Sequence, residues 1–252
     1  MDFKERLLEI MEQKEHWSDA YFYGNDDTIH IATIDELIFH MQQEYGVYVR
    51  DFPRYLENIL QMNPPSDVKA ALLANIKEEQ TGEISGFNRS HPEMFLDIPK
   101  GFGYGRKNFE NFKLLKESLA YKVWLKLIAN YATLPQRLAV FTIFVEGNRN
   151  ERAELNNNKQ LSNLEIEAEI RNYRLVRVYG INPKYLTLKR AHLKVEQSHR
   201  NDAWDMVIRH TKTQYEKKEV LNSMERSLEF WKSYREGIAK ALGLKEYSFV
   251  TT

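Results

Sequence analysis

Residues 180–200 read Gly180-Ile-Asn-Pro-Lys-Tyr-Leu-Thr-Leu-Lys-Arg-Ala-His192-Leu-Lys-Val-Glu196-Gln-Ser-His199-Arg200, and this stretch decides the fold. Gly180 ends one periodic segment. Asn182 then supplies an N-cap and Pro183 a first-turn proline, so a long helix is expected from there to about Arg209. At about 3.6 residues per turn, His192, Glu196 and His199 fall at i, i+4 and i+7 on one stripe. Two imidazoles and a carboxylate can point at one place, and Glu-x-x-His is the local pattern of dinuclear carboxylate sites in helical bundles. The stripe also has Lys194, Gln197, Ser198, Arg200 and Asp202 around it, the composition of a solvated face.

Working outward, the rest of the chain reads as helix after helix. Only 11 glycines and 7 prolines occur in 252 residues, most of them between periodic segments. A first helix is expected over residues 3 to about 16. Thr33-Ile-Asp-Glu36 is a capping box opening a helix that stops near Gly46. Phe52 to Met62 forms a short helix, and Pro64-Pro65-Ser66 leads into another from Asp67 to Gln80, with Leu72, Leu73 and Ile76 on one face. Residues 81–108 are the least regular. Further helices are expected over Phe109 to Tyr131, with Leu115, Leu119, Val123 and Leu127 on its stripe, and from Pro135 to Glu146. Ser162-Asn-Leu-Glu165 is a second capping box, opening a helix to Gly180, and the last helix covers roughly Lys212 to Leu242. Thr28-Ile-His-Ile-Ala32 is the one strand candidate, without a partner. The expectation is one all-α domain over residues 1–252, with seven or more helices.

Composition excludes several chemistries. There is no cysteine, hence no disulfide framework, thiolate metal site, cysteine nucleophile or iron–sulfur cluster. Lys+Arg and Asp+Glu are both 36, so the chain lacks the electrostatic footprint of a nucleic-acid or anionic-membrane binder. The apolar run Leu138 to Val145 is too short to span a bilayer, and the charged start is unlike a secretory signal. The expected location is cytoplasmic.

Two further places carry carboxylates in unusual company. Glu146 ends the nearly apolar run from Gln136, sharing a face with Ala139 and Ile143 at helical spacing. A buried carboxylate there needs a cation, whereas a frayed helix end before Gly147 would leave it in water. Glu79 continues the Leu72–Ile76 stripe inward while Glu78 turns away, and His91 in Ser90-His-Pro92 can return to the same place after Gly82 breaks the helix. Glu83 lies on the same projection. Together these make three carboxylates and three histidines on at least three helices, a donor set that suits two Fe(II) or Mn(II) ions better than one zinc.

With these motifs in place, the sequence resembles the heme-oxygenase-like diiron oxidases and oxygenases. That group includes the chlamydial protein associating with death domains, and its broader superfamily includes TenA proteins and pyrroloquinoline-quinone synthase. The resemblance rests on Asn75-x-x-Glu-Glu79 followed by Ser90-His91-Pro92, on Val145-Glu146-Gly147, and on His192-x3-Glu196-x2-His199 after Gly180-Ile-Asn-Pro183. It covers roughly residues 35–210. It implies a heme-oxygenase-like bundle with Glu79, His91, Glu146, His192, Glu196 and His199 as metal ligands, the choice among Glu78, Glu79 and Glu83 staying open. It also implies a labile pair of Fe(II) ions, O2 as co-substrate, and oxidation of a small molecule, an amino acid or aliphatic carboxylic acid being expected. An external electron donor and a homodimer are compatible with it. Glu196 departs from the family, which usually has aspartate there. Two other readings compete: a metal-free enzyme of the TenA or quinone-synthase kind, and a non-catalytic helical interaction protein. The Gly101-Phe-Gly-Tyr-Gly105 stretch follows no strand and reads as a mobile loop near the pocket rather than a phosphate cradle. His16, His30, His40 and His210 have no carboxylate at ligand spacing and read as structural.

Overall fold

The long helices form where local signals start and stop them, and they pack around a core of Phe141, Phe144, Leu138, Met224 and Ile238. In the computed structural model, residues 2–23, 32–156 and 160–246 are described, with the side chains of residues 196–199 excepted. Among the described residues there is no strand. The strand candidate at Thr28–Ala32 lies, apart from Ala32, outside them.

Capping is as the sequence suggests. Thr33 and Glu36 form a reciprocal capping box on the Ile34–Glu44 helix, and Ser162 and Glu165 do the same for Asn163–Asn172. Asn182 caps a short 3-10 turn, Pro183–Tyr185, after which a helix runs from Thr187 to His210. Between Asn172 and that turn the expected single helix breaks, leaving only Arg174–Arg177 helical. The last helix, Gln214–Ala241, packs along both Lys116–Tyr131 and Phe3–Glu12. Thr187–His210 lies against Asn163–Asn172 and the segment before Glu146. No helix among the described residues is long and apolar enough to cross a membrane.

Two elements differ from expectation in ways that shape the interior. Tyr45–Val49 and Ala139–Val145 are π-helical. A π turn carries more than four residues, so it shifts the faces that a 3.6-residue period assigns, and such turns concentrate at functional sites. Ala139 and Ile143 thus sit in the core, while Thr142, Val145 and Glu146 line a cavity. The first π segment follows Glu44 directly. Its Gly46 carbonyl accepts a 2.6 Å hydrogen bond from Lys122, and a Cβ on Gly46 would meet the Phe112 ring at 2.5 Å.

The Lys116–Tyr131 helix corrects the expected stripe. Leu119, Val123 and Leu127 are about half exposed, and the buried face carries Ser118, Tyr121, Lys122, Leu125, Ile128 and Ala129. Leu73 is likewise exposed, leaving Leu72 and Ile76 as the inward pair of its helix.

Candidate metal centre

The Ser66–Thr81 helix ends at Gly82, whose φ of +59° is a left-handed conformation that a side chain would strain. A Cβ there would also lie 2.3 Å from the Arg89 carbonyl. The chain folds back through this glycine, and the amides of Phe87 and Asn88 both donate to its carbonyl. A capping box of Ser90 and Glu93 then starts the His91–Phe95 turn, which sets His91 beside the glutamates it left twelve or so residues earlier.

His91 sits between both of them. Its Nδ1 lies 2.6 Å from Glu79 Oε1, and its Nε2 lies 3.2 Å from Glu78 Oε1. The second oxygen of Glu78 accepts a 3.0 Å hydrogen bond from the Ser85 amide. Glu78 does not turn away, as the helical projection suggested: it is 1% exposed. The reason is the loop, which closes over the helix end and supplies partners on the side that an isolated helix would expose. Glu83 is the glutamate that faces water, paired with Lys77.

His192, from the Thr187–His210 helix, brings Nε2 to 3.3 Å from His91 Nδ1. Ligand atoms of Glu79, His91 and His192 all lie within 4.8 Å of one another. This geometry separates the roles of the two glutamates. The Nδ1 side of His91 faces Glu79 and His192, the side on which a cation would sit. Its Nε2 side faces Glu78, the carboxylate–histidine arrangement that fixes the tautomer and orientation of a metal-binding imidazole.

Glu146 lines the same cavity, and Asn75 Nδ2 donates to its Oε1 at 2.9 Å. It is not one of the three groups within 4.8 Å. Its side chain is exposed towards the open cavity, and the partial loss of solvent there, then the nearby charge of Glu79, raise its carboxyl above the ordinary value. Burial works against the charged form of His91, but the hydrogen bonds and charges of Glu79 and Glu78 outweigh it and raise the imidazole above its ordinary value. Glu196 and His199 lie in the Thr187–His210 helix, and their side chains are outside the described residues.

The donors open on a cavity of about 250 Å3 whose apolar wall includes Val49, Phe52, Phe95, Leu188 and Val195. Arg200 also lines it, bound to Glu151 and, at 2.9 Å, to Glu154. Trp204 Nε1 donates to the other Glu151 oxygen at 2.9 Å. A second cavity of about 310 Å3 shares Glu44, Phe95, Leu188 and His192 with the first. Sequence reasoning passed over Glu44 and Tyr48, because the π turn that places both on the cavity leaves no simple periodic signal. Gly101 belongs to a helical turn, Asp97–Gly101, packed on Ile181 and Tyr185, and so is not part of a loop.

Carboxylates and imidazoles from separate helices line one cavity, and these donors fit iron: oxygen and nitrogen only, with Glu79 and His91 buried, His192 half-buried, Glu146 exposed towards the cavity, and no lysine among the described lining residues. The sequence model of the iron-containing redox enzyme family matches residues 40–232, and the chain belongs to that family. No curated protein sequence matches it. Among solved structures it is similar to a TenA homologue from Pseudomonas syringae pv. tomato, with 12% identity, TM-score 0.62, and coverage of 94% of this chain and 88% of that one. It is also similar to a domain of unknown function with a heme oxygenase-like fold from Shewanella denitrificans, with 16% identity, TM-score 0.63, and coverage of 95% and 88%. The architecture is therefore heme-oxygenase-like and all-α.

Proposed function

We propose that this chain is an O2-dependent, non-heme diiron oxidase or oxygenase acting on a small metabolite. The observation that carries the reading is the convergence of Glu79, His91 and His192 within 4.8 Å at the wall of a largely apolar cavity. Glu79, His91 and His192, with Glu146, Glu196 and His199, would hold two iron ions. When bound, iron supplies one-electron chemistry with O2 that no side chain in this cavity provides.

The chain's own residues prepare that site. Glu78 accepts from His91 Nε2, so the imidazole presents Nδ1 inward, and the Ser85 amide holds Glu78 in turn. Asn75 donates to one oxygen of Glu146 and holds the carboxyl on the cavity wall. Phe52, Phe95, Leu188 and Val195 keep the space beside the donors dry. Membership of the iron-containing redox enzyme family supports the metal-dependent reading over the TenA-like alternative.

Anaerobic Fe(II) titration, read as iron retained per chain after desalting, tests this. The expected result is up to two irons, lost in His91→Ala with helical circular dichroism preserved. Glu78→Gln should weaken Fe(II) affinity by roughly 10- to 100-fold without removing a ligand. Iron retention unchanged in His91→Ala, or zinc held stoichiometrically against excess Fe(II), would overturn the proposal.

A further inference from the structure

Five carboxylates among the described residues line the first cavity, and each has a hydrogen-bond or ion-pair partner. Glu78 is held by Ser85 and His91, Glu79 by His91, Glu146 by Asn75, and Glu151 by Arg200 and Trp204. Glu44 is the fifth. It ends the Ile34–Glu44 helix at the start of a π turn, and its carboxylate lines both cavities. Tyr48 Oη donates to Oε1 at 2.5 Å. His40 Nδ1 stands 4.0 Å from Oε2. His40 is no counter-ion, since burial and the Arg235 charge hold it well below its ordinary value. Among the described residues, no lysine or arginine comes within 4.0 Å of Glu44. Lys14 donates to the carbonyls of Phe144 and Gly147, and Lys189, which lines the second cavity, has its ammonium over the Tyr173 ring.

We propose that Glu44 is the anchor for the ammonium group of an aliphatic amine substrate, whose chain lies in the two cavities that meet at Glu44 and His192. The Glu44 side chain is about one-fifth exposed; loss of solvent raises its carboxyl, the more distant Arg235 and Lys14 charges lower it, and a ligand ammonium in direct contact would favour its charged form further. The second cavity adds apolar wall from Met41, Ile98 and Leu175, which suits an alkyl chain. The same charges disfavour the aliphatic carboxylic acid expected from the family resemblance. Its carboxylate would meet Glu44, Glu79 and Glu146, and the one arginine lining the first cavity is already bound to Glu151 and Glu154. The inference rests on the proposed function only in taking the His91–His192 cluster as the reacting end.

The test is titration calorimetry on metal-free protein with three probes of equal chain length: hexylamine, hexanoate and hexan-1-ol. Hexylamine should bind at least tenfold more tightly than either of the others, and Glu44→Gln should abolish that preference. The comparison among probes on unmodified protein needs no variant, so it stands even if Glu44→Gln folds poorly. Equal affinities, tighter hexanoate, or no binding of any probe would overturn the assignment. So would an amine preference that survives in folded Glu44→Gln, because the ammonium would then sit on the carboxylates of the metal cluster. Fe(II) titration of the same preparation separates the two proposals. Iron bound without an amine preference sinks this one alone, and an amine preference without iron binding sinks the diiron reading alone.

Discussion

The Ser66–Thr81 helix turns two neighbouring glutamates inward, whereas the Lys116–Tyr131 helix turns three aliphatic side chains out. Glu78 and Glu79 are 1% and 8% exposed, while Leu119, Val123 and Leu127 are 51%, 47% and 48% exposed. Both helices depart from the ordinary distribution, and for the same reason. A helical period names residues that share a face; the element packed on that face decides whether it is inside. Lys116–Tyr131 has two apolar stripes, and the one with Tyr121, Leu125 and Ile128 is buried, with Tyr234 of the Gln214–Ala241 helix against Tyr121. Lys122 shares the buried face because Asp51 at 2.8 Å and the Gly46 carbonyl satisfy its ammonium. At Glu78 the covering element is a loop that brings hydrogen-bond partners instead of apolar surface.

Three measurements test this contrast. The largest effect is expected at Leu125, which is 0% exposed. Leu125→Ala should lower unfolding free energy by about 2–5 kcal/mol in denaturant titration, through lost burial and the cavity left behind. A loss under about 1 kcal/mol would mean that the faces are wrongly assigned.

The second concerns a polar group held inside. Burial lowers Lys14 from 10.5 to about 8, against the raising charges of Glu151, Asp19 and Glu44. Between those values the unfolded chain keeps a proton that the folded one has released, so this group's contribution to stability rises with pH from about 8 to 10.5. The rise is at most about 3 kcal/mol. Comparing unmodified protein with Lys14→Met at both ends of the window isolates it from the buried tyrosines, which titrate in both. Parallel pH profiles would show that the Lys14 ammonium is solvated.

The smallest effect is expected at the exposed stripe. Leu127→Ser should change unfolding free energy by no more than about 0.5 kcal/mol, the range of surface substitutions. A loss of several kcal/mol, or a change in oligomeric state, would show that the stripe is covered in solution.

Much of the candidate site was legible before the fold was known. His192 is conspicuous because it shares a helical stripe with Glu196 and His199, and Glu146 because it ends an apolar run, whereas His91 reads as a single histidine in a loop that can return to Glu79 after Gly82. The structure brings Glu79, His91 and His192 together and puts Glu146 on the same cavity. Glu78 was misread because a projection along one helix knows nothing of Ser85, seven residues on and past the left-handed Gly82. Glu44 leaves no signal of its own: it stands in a polar stretch, Gln42-Gln43-Glu44, that looks solvent-facing until the fold places it on both cavities.

Several helix starts and stops follow from the local sequence alone. Capping boxes at Thr33 and Ser162, the Asn182-Pro183 start and the Gly82 stop act between residues at most a few positions apart, so the local chain is enough to specify them. The packing of distant elements settles which stripe of Lys116–Tyr131 is buried, which glutamate faces the His192 side of His91, and that, among the described residues, no lysine or arginine comes within 4.0 Å of Glu44. Those outcomes depend on partners that folding brings from afar, such as Glu78 at 13 residues from His91 and His192 at 101. The energy of a buried charge is set by all its neighbours at once, and no spacing within one helix encodes them.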